Sequence, residues 1–214
     1  PSDFDIALAE TIANEKSKFT NDNNQDDRPR KQEQKRNKQF EGCFAELAVA
    51  KFLIQVLDEP ASNVHVYDGR RQDFNYHINE EFDVKVIRGE QELRCEVRNS
   101  WSYKTTLKEF CERYDMIGKY TNATKQFETL ADFFIRPVLQ LVNFQSAIPT
   151  NAIELIKNGQ AQLFIVAACT KDEMLQKGKL NPLMTRKNTQ YFTTKLNKLS
   201  SIDTFEKVYR NLFI

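Results

Sequence analysis

Apolar and polar residues alternate in two short segments near the middle of the chain. The apolar side chains occupy every second position in residues 81–87 (EFDVKVI), and again in residues 92–98 (ELRCEVR). Because successive side chains of a strand point to opposite faces, each segment predicts a half-buried β-strand. The turn residues 88–91 (RGEQ) predict a hairpin with a four-residue loop, in which Ile87 pairs with Glu92.

Helical spacing of apolar residues appears on both sides of this hairpin. Residues 39–57 carry apolar side chains three and four positions apart, and Pro60 follows, which predicts one long helix. Similar patterns predict helices at residues 4–19, 105–117, 151–158 and 201–213, and a capping sequence predicts another after Thr170.

Two long apolar runs predict central strands, at residues 132–141 (DFFIRPVLQL) and 162–168 (QLFIVAA). Pro137 favours an edge or a bulge at the end of the first run, and residues 191–194 predict a late strand. This order predicts an α/β fold class, with a mixed β-sheet flanked by α-helices. Residues 1–38, a helix followed by a polar linker at 20–30 and a basic stretch, are expected to precede a domain formed by residues 39–214.

Composition narrows the class of protein. A chain of 214 residues with 40% hydrophobic and 29% charged residues is typical of a single globular domain. The net charge of +1 argues against a polybasic protein. The four cysteines form no CxxC pair, which predicts reduced thiols in a cytoplasmic protein rather than a zinc site or a disulfide framework. No apolar run is long enough for a membrane span, so no membrane partner is expected.

The hairpin register places two carboxylates side by side. If Ile87 pairs with Glu92, Asp83 lies opposite Glu96, on the face away from the apolar side chains. Two carboxylates opposed across a ladder repel each other, and a divalent ion such as Mg²⁺ would compensate them. The alternative is an ordinary exposed face on which Lys85 and Arg94 form surface ion pairs.

A third carboxylate occurs in the long helix. Glu46 is the charged member of a stripe that otherwise holds small or apolar residues, namely Gly42, Ala50, Leu53 and Leu57. An inward, unpaired charge costs several kcal/mol, so Glu46 is expected to be neutralised or to meet a cation. The alternative is a partly exposed glutamate at the helix edge.

These pieces together resemble the PD-(D/E)XK nuclease superfamily. The matching segments are GCFAE at residues 42–46, Asp83 on a strand, and EVRNS at residues 96–100 on the partner strand. The runs at residues 131–141 and 162–175 are similar to the two strands that follow in that family. The resemblance implies a restriction-endonuclease-like fold over residues 39–214.

The resemblance also implies an activity, the metal-dependent hydrolysis of DNA phosphodiester bonds by an endonuclease. Glu46, Asp83 and Glu96 would bind Mg²⁺ or Mn²⁺, and Arg98 would complete the catalytic set. Family members usually carry lysine where this chain has Arg98. Arginine stays protonated, so it cannot act as a general base, but it can hold the scissile phosphate.

The residues after the second strand are candidates for contact with DNA. Asn99, Ser100, Trp101 and Lys104 could line a substrate groove, with Trp101 stacking on a base. The alternative for Trp101 is a buried aromatic plug. Two other functions stay open, a non-catalytic nucleic-acid-binding module that keeps the nuclease fold and an interaction protein with an unrelated α/β fold. The sequence also leaves room for a homodimer.

Overall fold

The computed structural model describes residues 2–20, 29–70, 82–121, 129–181 and 190–213. The helices are α1 (Asp3–Lys16), α2 (Gln32–Gln55), α3 (Leu107–Arg113), α4 (Ala152–Lys157), α5 (Lys171–Lys177) and α6 (Ile202–Asn211). The strands are β1 (Val64–Val66), β2 (Val84–Arg88), β3 (Gln91–Val97), β4 (Ser100–Ser102), β5 (Asp115–Thr121), β6 (Phe133–Leu141), β7 (Ala161–Thr170), β8 (Lys179–Asn181) and β9 (Gln190–Lys195). Residue 81 and residues 21–28 of the predicted linker lie outside the described residues.

The main sheet is mixed. Strands β1, β2 and β3 are antiparallel neighbours, whereas β6 runs parallel to both β3 and β4 and antiparallel to β7. Since β3 pairs with Phe133–Ile135 and β4 pairs with residues 138–140, the two strands follow one another along the same edge of β6. Arg98 and Asn99 separate β3 from β4. The predicted α/β class with a mixed sheet is confirmed.

Helices cover both faces of this sheet. Phe133 and Ile135 pack with α2 and α6 in one core cluster, whereas Phe134 packs with Phe110 of α3 and Met174 of α5 in another. Consecutive residues of a strand face opposite sides, so β6 is buried on both faces, as its long apolar run predicts. The predicted bulge is also present, as a register shift against β7 between Arg136 and Pro137.

The hairpin has the predicted register. Ile87 is opposite Glu92, and Val84 is opposite Cys95. The loop is shorter than the predicted four residues, because Arg88 and Gln91 also pair and only two residues remain for the turn. Gly89 takes a positive φ of 59° there, a conformation that glycine adopts without steric cost.

The long helix α2 begins at Gln32, earlier than the predicted start at residue 39, so the predicted boundary between residues 38 and 39 falls inside a helix. The basic stretch 31–38 therefore forms its first turns. Helix α1 packs along α2, with Ala9 and Ala13 in one core cluster with Phe40 and Phe44. This apolar contact joins the N-terminal helix to the sheet-bearing part of the chain.

The prediction of a helix over residues 105–117 is wrong in its second half. The helix α3 ends at Arg113, and Asp115–Thr121 forms strand β5 of a second, three-stranded sheet with β9 and β8. Pairing with β9, which lies far along the chain, overrides the local helical pattern and buries Met116. Among the described residues, no helix combines the length and apolar character that crossing a bilayer requires.

Candidate metal-binding site

Glu46 lies on the face of α2 that packs against the sheet, and only 7% of the residue is exposed. Gly42 lies one turn earlier, where a Cβ atom would make only an ordinary contact of 3.9 Å with Glu46 Oε1. Within the described residues Glu46 forms no hydrogen bond and no ion pair. Burial raises the pKa of Glu46 well above its ordinary value. The carboxylates of Asp83, Asp68 and Glu96 raise the pKa further, while the ammonium group of Lys16 opposes this effect.

Asp68 is a carboxylate that the sequence patterns did not single out. It begins a short 3-10 helix directly after β1 and is 2% exposed. Lys16 Nζ, from the last turn of α1, lies 2.5 Å from its Oδ2 atom, and the Sγ atom of Cys43 lies 3.9 Å from the same oxygen. The other oxygen, Oδ1, is buried without a hydrogen-bond partner in the described structure.

Cys43, Glu46 and Asp68 meet at one point. Among the described residues, these three side chains form a group of candidate metal ligands. Their ligand atoms all lie within 4.8 Å of one another. Burial and the two neighbouring carboxylates raise the pKa of Cys43 well above its ordinary value, which keeps the thiol protonated. The two carboxylates are therefore the ligands that this group offers a hard ion at neutral pH.

Asp83 sits just before β2, at the position opposite Glu96 when the hairpin register is continued. Its Oδ2 atom accepts a hydrogen bond from the backbone N–H of Val97 at 2.7 Å. Burial raises the pKa of Asp83, although the Val97 hydrogen bond and the nearby Arg98 and Lys16 oppose that effect. The residue therefore has a structural contact of its own and interacts electrostatically with Glu46 and Asp68, although it lies outside the group of three.

Glu96 and Arg98 lie next to this group and bind each other. Arg98 Nη2 is 2.5 Å from Glu96 Oε1, and their side chains are 25% and 21% exposed. Glu96 lies beside Phe134 in the ladder, on the face that α3 covers, whereas Cys95 and Glu46 belong to the α2 side. Glu96 is consequently outside the 4.8 Å group and reaches Glu46 only through longer-range repulsion.

Arg136 of β6 forms hydrogen bonds with the residues at the break between β3 and β4. Its Nη1 donates to the backbone carbonyl of Arg98 and its Nη2 donates to Ser100 Oγ, both at 2.8 Å. Burial lowers the pKa of Arg136 to about 10, and the nearby charge of Arg98 contributes. The guanidinium remains charged at neutral pH and fixes the backbone that carries Arg98.

The four residues predicted to contact DNA have different surroundings. Trp101 is 7% exposed and packs in the core with α1, α2 and α4, so its ring offers no face for a base, and the buried plug is what the structure shows. Asn99 Nδ2 donates to the Glu41 carbonyl at 3.3 Å, and Ser100 binds Arg136. Lys104 is exposed, with its ammonium 5.2 Å from the ring centre of Tyr103.

The structure thus brings three predicted carboxylates into electrostatic contact and adds two residues to them. Asp68 lies in a short irregular segment (YDGR) that has no periodicity to reveal its direction. Lys16 belongs to the N-terminal segment that was expected to precede the domain. When all groups are ionised, the carboxylates of Glu46, Asp68, Asp83 and Glu96 exceed the cations Lys16 and Arg98 by two charges.

A divalent ion fits this donor set. Carboxylate oxygens are the ligands that Mg²⁺ and Mn²⁺ prefer, and the excess charge matches one such ion. The buried Oδ1 atom of Asp68 is an acceptor that the described structure leaves without a donor, and the buried carboxylate of Glu46 lies in the same group of candidate ligands. We compared the chain with protein-family models, with curated proteins and with solved structures, and none of them matches it significantly.

Proposed function

We propose that this protein is a metal-dependent endonuclease of the PD-(D/E)XK type, which hydrolyses DNA phosphodiester bonds. The observation that carries the proposal is Glu46, a carboxylate with 7% exposure that Asp83 and Asp68 repel and that Lys16, which is paired with Asp68, compensates only in part. Repulsion between buried carboxylates destabilises the ion-free protein. A site for a divalent ion nevertheless needs such carboxylates close together, because their oxygens bind the ion. The mixed sheet flanked by helices agrees with the resemblance found in the sequence.

The ion would be held by Glu46, Asp68 and Asp83, with Glu96 nearby. Mg²⁺ or Mn²⁺ would supply Lewis-acid stabilisation of the phosphoryl group and a nucleophile at neutral pH. Asp68 extends the ligand set that the sequence predicts. Val97 orients Asp83 by donating its N–H to Oδ2, which leaves the lone pairs of Oδ1 for another partner.

Arg98 would hold the scissile phosphate. Its side chain is 25% exposed and lies next to the acidic group, and Arg136 fixes its backbone carbonyl. Arginine binds phosphate through two parallel hydrogen bonds, and its fixed positive charge offsets the negative charge that develops during hydrolysis. The exposed ammonium of Lys104 would add a contact with a backbone phosphate of the DNA.

A cleavage assay tests the proposal. Supercoiled plasmid and linear duplex DNA are incubated with the protein and Mg²⁺ or Mn²⁺, beside the variants Glu46→Gln and Glu41→Gln. Glu41 is a matched control, because it lies on the same helix, is 5% exposed and has an ion-pair partner in Lys38. We expect cutting by the wild type and by Glu41→Gln, and none by Glu46→Gln. Equal cutting by all three proteins would reject the site.

One observation favours a second function, a nucleic-acid-binding module without turnover. The ion pair of 2.5 Å between Arg98 and Glu96 partly neutralises a carboxylate that would otherwise face the ion. In that case DNA binding would persist and depend on salt, while no metal would support cutting. Fluorescence anisotropy with labelled duplex DNA, measured on the same preparation as the cleavage assay, separates the two functions.

A further inference from the structure

We infer that the side chain of Lys16 and the divalent ion compete for the same carboxylates, so that helix α1 carries an internal counter-cation for the site. This inference rests on the proposed function, because it assumes that an ion binds there. The inference concerns how binding of the ion at that site is regulated. The ammonium group would hold the carboxylates together in the absence of the ion and would leave them when the ion binds.

The position of the ammonium group supports this inference. Lys16 Nζ lies 2.5 Å from Asp68 Oδ2, and Asp68 is one of the three residues whose ligand atoms lie within 4.8 Å of one another. The same lysine interacts electrostatically with Glu46, Cys43 and Asp83. A cation bound between Glu46 and Asp68 would therefore lie close to this ammonium group. Two cations at such a distance repel each other strongly in a buried environment.

The lysine side chain can leave without undocking its helix. It retains 17% exposure, so a path to solvent exists along its flexible stem. Helix α1 itself is held by Ala9, Ile12 and Ala13, which are buried in the core with α2. If Lys16 alone moves away, the ion replaces the single positive charge of the lysine with a double positive charge. The negative charge of the carboxylates is then compensated more fully.

This arrangement has a consequence for affinity. The ion has to replace the contact between Lys16 and Asp68 before it can use both oxygens of that carboxylate. Removing the competing ammonium group should therefore strengthen ion binding, although it removes a stabilising contact from the ion-free protein. A residue that merely oriented Asp68 for the ion would have the opposite effect, since its loss would weaken binding.

Isothermal titration with Mn²⁺ alone tests the inference on four proteins, the wild type, Lys16→Met, Lys16→Arg and Lys51→Met. Lys51 is a matched control, because its ion pair with Asp5 has the same length of 2.5 Å and likewise joins helix α1 to another element. We expect Lys16→Met to bind Mn²⁺ at least about tenfold more tightly, which corresponds to one charge-assisted hydrogen bond. Lys16→Arg and Lys51→Met should stay close to the wild type.

A measurement on the wild-type protein does not depend on how the variants fold. Acylation of lysine amines, followed by mass spectrometry, should label Lys16 faster when Mn²⁺ is added, and labelling of Lys51 should not change. Unchanged or weaker binding by Lys16→Met, or labelling of Lys16 that does not rise when Mn²⁺ binds, would overturn this inference and leave the ion site intact. Failure of all four proteins to bind Mn²⁺ would overturn the proposed ion site as well.

Discussion

The Oδ2 atom of Asp83 accepts a hydrogen bond from the backbone N–H of Val97 at 2.7 Å. This contact joins the residue before β2 to the last residue of β3 and closes the open end of the hairpin. It also fixes the carboxylate that raises the pKa of Glu46 more than any other neighbouring charge. Asp83 therefore combines a structural contact with a place in the acidic group.

Two substitutions at Asp83 separate these roles. Asp83→Asn keeps an oxygen that can accept from Val97, so its free energy of unfolding should stay close to that of the wild type while DNA cutting is lost. Asp83→Ala leaves the Val97 N–H without its partner and should lower the free energy of unfolding by about 1–3 kcal/mol. Urea unfolding without added metal, together with the plasmid assay, measures both effects. Wild-type cutting by Asp83→Asn would remove Asp83 from the site.

Glu46→Gln should stabilise the protein in the absence of metal. The substitution removes a buried negative charge that faces other carboxylates, so the free energy of unfolding should rise, by on the order of 1 kcal/mol. Glu41→Gln is the comparison, since it breaks the ion pair of 2.6 Å with Lys38 and should lower stability by about 1 kcal/mol or less. Thermal unfolding in buffer containing EDTA provides the measurement. A loss of stability in Glu46→Gln would mean that this carboxylate has a stabilising partner.

Arg98→Lys should retain part of the activity, because the substitution keeps a positive charge beside the phosphate. Arg98→Ala should lose most of it, and a fall in kcat of about 10²-fold or more is expected for a lost electrostatic contact. Arg94→Ala is the control, because Arg94 lies on the preceding strand β3, is half exposed and pairs with Glu92 away from the acidic group. Full activity of Arg98→Ala would exclude a role for Arg98 in hydrolysis.

Glu173 gives the fold a pH dependence away from the site. Burial tends to raise the pKa of Glu173, but hydrogen bonds from Lys177 and Ser200 outweigh burial and lower the pKa below its ordinary value of 4.5. A carboxylate with a lowered folded-state pKa stabilises the fold above its unfolded-state pKa, and this contribution is lost as the pH falls through the folded-state pKa.

Glu173→Gln should therefore be less stable than the wild type at about pH 7, with a difference that shrinks below about pH 4.5. The control is Glu206→Gln, since the Glu206 contact with Arg210 is a partly exposed pair within one helix and contributes little. Urea unfolding at several pH values measures the difference. A difference that persists unchanged at acid pH would show that the Glu173 charge is not its source.

The hairpin and the direction of Glu46 could be predicted from the sequence because both depend on local periodicity. Alternation fixes which side chains share a face, so Ile87 and Glu92 could be paired without knowledge of the rest of the fold. In the same way, spacing of three and four residues places Glu46 on the buried stripe of α2. The apolar run of β6 likewise indicated a strand covered on both faces.

Asp68, Lys16 and the strand β5 could not be predicted, because each depends on contacts between distant parts of the chain. Asp68 meets Lys16 across 52 positions of sequence, and no periodic pattern records such a meeting. The strand β5 forms because β9 is available as a partner, although its own residues continue a helical pattern. Burial of Trp101 likewise depends on packing by α1 and α4.

A crystal soaked with Mn²⁺ would show whether an ion binds between these carboxylates. The anomalous signal of manganese locates the ion without reference to activity or to the choice of DNA. We expect one strong peak between α2 and the open end of the hairpin, bound by oxygens of Glu46, Asp68 and Asp83, with Lys16 turned away from Asp68. A saturated soak without a peak there, with Lys16 still bound to Asp68, would rule out this ion site.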